Sequence, residues 1–120
     1  VRFEITAPLE SASYCHCTRC QRRTGAAASA QAGLEPGQLR FLAGEELIRT
    51  WWPPAPGFGK SFCPECGSHI GSRSPEDPER LYAVRLGVID GDPGVRPSRR
   101  SHTDTAAVWE PIPDDGLPRR

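Results

Sequence analysis

Five cysteines are the residues in this chain whose type and spacing point most directly to chemistry, and they fall in two short clusters. In Cys15-His16-Cys17-Thr18-Arg19-Cys20, the thiols stand at i, i+2 and i+5, a pattern that packing does not explain. Residues two apart on an extended segment project to the same face, so Cys15 and Cys17 point together. A tight turn through Thr18-Arg19 then returns Cys20 to their side. Three thiolates converging at ~2.3 Å on zinc leave a fourth tetrahedral position for water, a substrate or a distant ligand. The second cluster is the knuckle Cys63-Pro64-Glu65-Cys66-Gly67. All five cysteines thus sit in metal-ligand spacing.

Two arrangements satisfy that spacing. In the first, Cys15, Cys17 and Cys20 hold an open zinc site that can do chemistry, with Cys63 and Cys66 as a second knuckle apart from it. In the second, Cys17-x-x-Cys20 and Cys63-x-x-Cys66 close a four-sulfur zinc ribbon, Cys15 is spare, and the domain is a binding module for a protein or nucleic acid. His16 lies between two ligands and points to the opposite face, so packing or solvent contact is expected of it. His69 and His102 have the chemistry of a general base, but ordinary hydrogen-bonded roles are expected.

Composition narrows the function classes. At 120 residues the chain is one domain, 1–120, and its 12 glycines and 13 prolines call for short elements joined by many turns. A metal suits such a fold by cross-linking segments that bury little apolar surface. Fifteen basic residues balance fifteen acidic ones, so overall charge makes no case for nucleic acid or a membrane surface. No apolar run approaches the ~20 residues of a membrane span, and the first residues alternate rather than forming a signal peptide. An odd cysteine count argues against a secreted disulfide scaffold and for a reducing, cytoplasmic setting. Every basic residue is Arg except Lys60, and nothing around Lys60 suggests an activated amine.

The elements that must position the cysteines are mostly strands. Val1-Arg2-Phe3-Glu4-Ile5-Thr6 alternates as a half-buried strand, starting on Val1 as though something upstream had been removed. Ser13-Tyr14-Cys15 is extended, and Gln21 to Thr24 makes a helical turn stopped by Gly25. Ala26 to Ala32 is helical by propensity. Leu39–Leu42 and Leu47–Trp52 are predicted as a hairpin about Ala43-Gly44-Glu45-Glu46. Pro53 to Gly57 is a loop, and extended segments run into and out of the second knuckle. Leu81 to Ile89 is the longest apolar-rich run and the expected central strand. Trp109 is expected to pack back on the sheet. Trp51 and Trp52 place one ring in the core and one near the surface, or wall a ligand site. Asp114-Asp115 is loop chemistry. The fold class is all-β, mainly antiparallel.

The two knuckles, with Arg22-Arg23-Thr24-Gly25, Phe62 before Cys63 and the closing Asp114-Asp115-Gly116-Leu117-Pro118-Arg119, resemble the glutathione-dependent formaldehyde-activating enzyme family, also called the centromere protein V/formaldehyde-activating domain. The resemblance runs in order over nearly the whole chain. It implies an Mss4-like fold of twisted, zinc-stapled antiparallel sheets with short helical turns, and makes Ala26 to Ala32 a strand. It implies an open zinc on Cys15, Cys17 and Cys20, and a structural zinc to which Cys63 and Cys66 contribute. The family's upstream Cys-x-Cys does not occur in these residues, and the expectation is either a piece of a longer protein or a domain whose second zinc is incomplete without that N-terminal segment. The implied activity is that of a carbon–sulfur lyase on thiol–aldehyde adducts such as S-hydroxymethylglutathione. The zinc then binds the glutathione thiol and lowers its pKa, so that a thiolate meets formaldehyde. Arg19, Arg22 and Arg23 can hold glutathione carboxylates. They equally fit a solvated basic face or a local nucleic-acid contact, which the neutral net charge argues against.

Overall fold

The computed structural model describes all residues 1–120. Nine strands make two sheets. β1 (Arg2–Ile5) pairs antiparallel with β4 (Leu39–Ala43) in a small two-stranded sheet. The other seven are β2 (Ala12–Cys15), β3 (Ser29–Gly33), β5 (Arg49–Trp51), β6 (Gly59–Phe62), β7 (His69–Ser74), β8 (Asp77–Arg85) and β9 (Arg100–Ser101). They lie in the order β5-β6-β7-β8-β3-β2-β9, antiparallel throughout except for the parallel β2–β9 pair. The helix α1 (Thr18–Thr24) and three short 3-10 turns complete a mainly β fold, in keeping with the expected Mss4-like class.

The apolar core is small. Leu9, Ala12, Ala32, Leu34, Cys63, Ile70, Leu81 and Val84 form it, with Phe3, Ile5, Leu39 and Phe41 of the small sheet packed against it. Buried polar side chains are as numerous as apolar ones and include His16, His69, Arg85 and Arg100. Hydrogen-bonded polar networks therefore share the work of holding the sheets together.

Several sequence expectations need correction. Ala26 to Ala32 is not the helix its propensity predicts but leads into the strand that the family resemblance implies. Gly25, at φ 67°, ends α1, and Ser29–Gly33 then bonds to β2 on one side and β8 on the other. Pairing on both edges overrides the helix preference of alanine. The Leu39–Trp52 hairpin does not form. β4 turns instead to β1, where Phe3 meets Phe41 edge-to-face at 6.5 Å and Glu4 pairs with Arg40 across the strands. Gly44, at φ 79°, and a 3-10 turn over Glu45–Leu47 carry the chain across to the large sheet, where β5 pairs with β6. The central strand starts and ends earlier than its apolar run, and Leu86–Val88 is a 3-10 turn. Trp109 is 65% exposed rather than packed on the sheet, and Trp51 and Trp52 are both exposed, at 50% and 38%.

Candidate metal centre

Cys15 ends β2, which is held on both edges: Cys15 is paired with Ser29 of β3 and with Ser101 of β9. Its position is thus fixed by three strands. His16 N–H donates to Ser101 O at 2.9 Å, and the chain then turns into α1. Cys17 is the N-cap of that helix, with extended backbone, and its Sγ accepts from Cys20 N–H at 3.3 Å. The cap places the Cys17 sulfur over the first turn, beside Cys20. At the other end Gly25 N–H closes on Gln21 O at 2.8 Å. Gln21 Nε2 also donates to His16 O at 2.8 Å and Thr105 O at 2.9 Å, tying the helix to the C-terminal segment.

Together these elements bring the Sγ atoms of Cys15, Cys17 and Cys20 within 4.8 Å of one another. Sulfurs at ~2.3 Å from a tetrahedral zinc stand ~3.8 Å apart. The separation and the all-thiol donor set fit zinc, with one tetrahedral position not supplied by the cluster. Neither Cys63 nor Cys66 belongs to this group, so the four-sulfur ribbon that would leave Cys15 spare is not assembled. Cys63 is buried and Cys66 exposed; Gly67 N–H donates to Cys63 O at 2.7 Å to close their knuckle. No third cysteine, histidine or carboxylate joins them in such a cluster.

A hydrogen bond from Cys15 pushes Cys20 down to about 5, helped by Cys17 and Arg85. The same bond, with burial, pushes Cys15 up. A ready thiolate is the form a metal requires.

Behind the cluster, His16 is 5% exposed and faces away from the sulfurs, as its place between two ligands predicts. Its Nε2 lies 3.1 Å from Arg100 Nη1, and Arg100 closes on Asp115 at 2.6 Å. Burial, and after it Arg100, hold His16 below its usual pKa. Asp115 therefore buttresses the metal loop through two side chains, a role beyond loop chemistry.

In front, Cys15 and Cys20 open on a cleft of about 370 Å³. Its polar wall is a network that sequence reasoning missed. Ser29 Oγ donates to Gln31 Oε1 at 2.7 Å, Gln31 Nε2 donates to Ser13 Oγ at 3.0 Å, and Arg85 Nη1 donates to Gln31 Oε1 at 2.5 Å. The one signal for it was Arg85 itself, a lone charge inside the most apolar run of the chain. Next to Arg85, His69 is held neutral: burial, then the Arg85 charge, lowers it to about 3. His102 also lines the cleft, exposed and in the left-handed region at φ 55°.

Of the three predicted arginines only Arg23 reaches this cleft. Arg19 and Arg22 line a neighbouring groove with Trp51, Pro53, Pro54 and Lys60. Arg19 Nη1 donates to Pro56 O at 3.1 Å and Arg23 Nη2 to Phe58 O at 2.5 Å, so both tie down the proline-rich loop.

Fold and cluster together define a small β protein with a three-thiol cluster able to hold a metal ion. The sequence profile of the glutathione-dependent formaldehyde-activating enzyme family matches residues 1–105, and the chain belongs to that family. No curated protein matches it. Among solved structures, a Rhodobacter sphaeroides protein is 26% identical, over 73% of this chain and 76% of its own, with a TM-score of 0.49. No helix is long and apolar enough to cross a membrane.

Proposed function

We propose that the chain is a zinc-dependent carbon–sulfur lyase acting on adducts of a thiol with an aldehyde, S-hydroxymethylglutathione being the type substrate. The observation that carries this reading is the convergence of three thiols, and only three, two of which (Cys15 and Cys20) open on a cleft. Cys15, Cys17 and Cys20 hold the zinc, and Cys63 and Cys66 serve structure. Bound zinc supplies a Lewis-acid position that favours the thiolate form of an added thiol at neutral pH.

The rest falls to the chain. Strands β2, β3 and β9 and the cap of α1 fix the three sulfurs before substrate arrives, so little reorganisation is needed. In adduct formation a sulfur–carbon bond forms and the thiol proton passes to the carbonyl oxygen; breakdown reverses both changes. The hydroxyl and amide groups of Ser13, Gln31 and Ser72 line the cleft where that oxygen is accommodated, and Phe58 and Tyr82, edge-to-face at 6.1 Å, wall its apolar side. Several polar groups converging in one concave site fit a small polar substrate.

The test is turnover of glutathione and formaldehyde with and without added zinc. The expected result is a zinc-dependent rate in both directions that Cys17→Ala lowers by at least ~10²-fold, in line with losing an essential ligand. A rate indifferent to zinc and to Cys17→Ala contradicts the reading.

A further inference from the structure

The cleft beside the cysteines contains a buried charge that no acidic side chain answers. Arg85, at the end of β8, is 7% exposed, yet no ion pair in the structure includes it. Arg100, almost equally buried at 8%, closes on Asp115. The hydrogen bonds of Arg85 go instead to neutral acceptors: Gln31 Oε1 at 2.5 Å, Ser72 Oγ at 3.3 Å and His69 Nε2 at 3.3 Å. A guanidinium carries five N–H donors, so two remain unassigned. The only anionic groups beside this buried cation are the cysteine thiols of the cluster, whose charge a bound metal largely takes up, so Arg85 has capacity for a further anion.

The surroundings say what that ligand is. Arg23 and Arg99 line the same cleft, and no Asp or Glu does, in a chain whose acidic and basic residues are equal in number. Three thiolates around a divalent ion leave one negative charge, which cannot offset three arginines. A planar fork with free N–H groups matches a carboxylate, and the walls leave room for more than an aldehyde.

We propose that Arg85 is the carboxylate-binding residue of this site, so that the cleft selects a thiol or thiol adduct carrying a carboxylate close to its sulfur. The assignment builds on the thiol-adduct reading but names a residue and a substrate class that reading does not need. Gln31 and Ser72 are positioning residues for the fork.

The experiment is alkylation of the reduced full chain, zinc-loaded and chelated, with iodoacetate and with iodoacetamide. The two reagents deliver the same carbon, one on a carboxylate and one on a neutral amide. Site-resolved mass spectrometry gives the rate ratio at Cys15 and Cys20, with the exposed Cys66 as internal reference. The expected ratio exceeds that of Cys66 by roughly tenfold, the scale of one charge-assisted hydrogen bond. It falls to the Cys66 value in Arg85→Gln and is partly kept in Arg85→Lys. A wild-type ratio equal to that of Cys66, or a preference that survives Arg85→Gln, overturns the assignment. If Arg85→Gln does not fold, acetate decides on the wild type: saturable protection of Cys15 and Cys20 from iodoacetamide, not given by acetamide, supports it, and no protection overturns it. Zinc affinity is read on the same samples. Zinc binding without anion preference removes this assignment alone, whereas anion preference without zinc binding removes the metal reading alone.

Discussion

At the scale of single residues, neighbours decide what each chemical group can do. Cys20 is held below the usual thiol range chiefly by Cys15, whereas Cys66, with Ser68 as its main partner, is lowered by a different contact. His69 shows the same dependence through burial and Arg85, and its neutrality has a consequence for stability. The unfolded chain takes a proton on this side chain near 6.5, whereas the folded protein takes it only near 3. Below 6.5 the unfolded state therefore binds more protons, and stability present above that pH is lost as pH falls toward 3. Urea unfolding of the chelated protein at pH 7 and pH 4.5 should show the wild type losing about 1–2 kcal/mol more than His69→Gln, after allowing for screening. Equal losses would mean that His69 is not held neutral. The cysteines were legible in the sequence because their spacing alone restricts geometry. Arg85 was not, because the meaning of a lone arginine depends on whether an acid stands opposite, and only the fold decides that.

Among elements, β2, which carries Cys15, is paired on both edges, and close approach of backbones is part of how the large sheet is held. Gly71 in β7 lies against β8 so tightly that a Cβ there would stand 2.2 Å from the Ala83 carbonyl oxygen and 3.2 Å from Leu81. Gly71→Ala should therefore force β7 and β8 apart and cost about 1–3 kcal/mol, as overpacking does. The shift would reach His69 and Ser72, which hold Arg85. Thermal unfolding checks this, and an unchanged Tm would contradict the packing described. The end of α1 was readable from Gly25, whose cap role is local; its start was not, because the Cys17 cap opens the helix at Thr18, inside the stretch that reads as a tight turn before Gln21. The partner of β4 was not readable, because Phe41 and Leu39 fit a hairpin with β5 as well as a pairing with β1, and sequence nearness favoured the wrong one. Ala26 to Ala32 failed for a related reason: alanine propensity is weak beside hydrogen bonding to two neighbouring strands.

For the whole molecule, a modest apolar core, two knuckles and a zero net charge make one consistent picture. Charge is balanced overall but not locally, and the imbalance falls at the cleft where the cysteines converge. The mainly β class followed from alternation and turn residues, while the split into a two-stranded and a seven-stranded sheet depends on long-range pairing that periodicity does not encode. The family profile covers the sheets and the three-cysteine cluster alike, ending at residue 105. The central claim is an open three-sulfur zinc that accepts a thiol. Zinc-edge X-ray absorption on the reduced chain, loaded with no more than one zinc per chain, measures this directly by counting sulfurs before and after glutathione is added. Three sulfurs and one lighter ligand are expected, rising to four sulfurs with glutathione. Four sulfurs from the start, unchanged by glutathione, would contradict it and make the site a closed structural zinc.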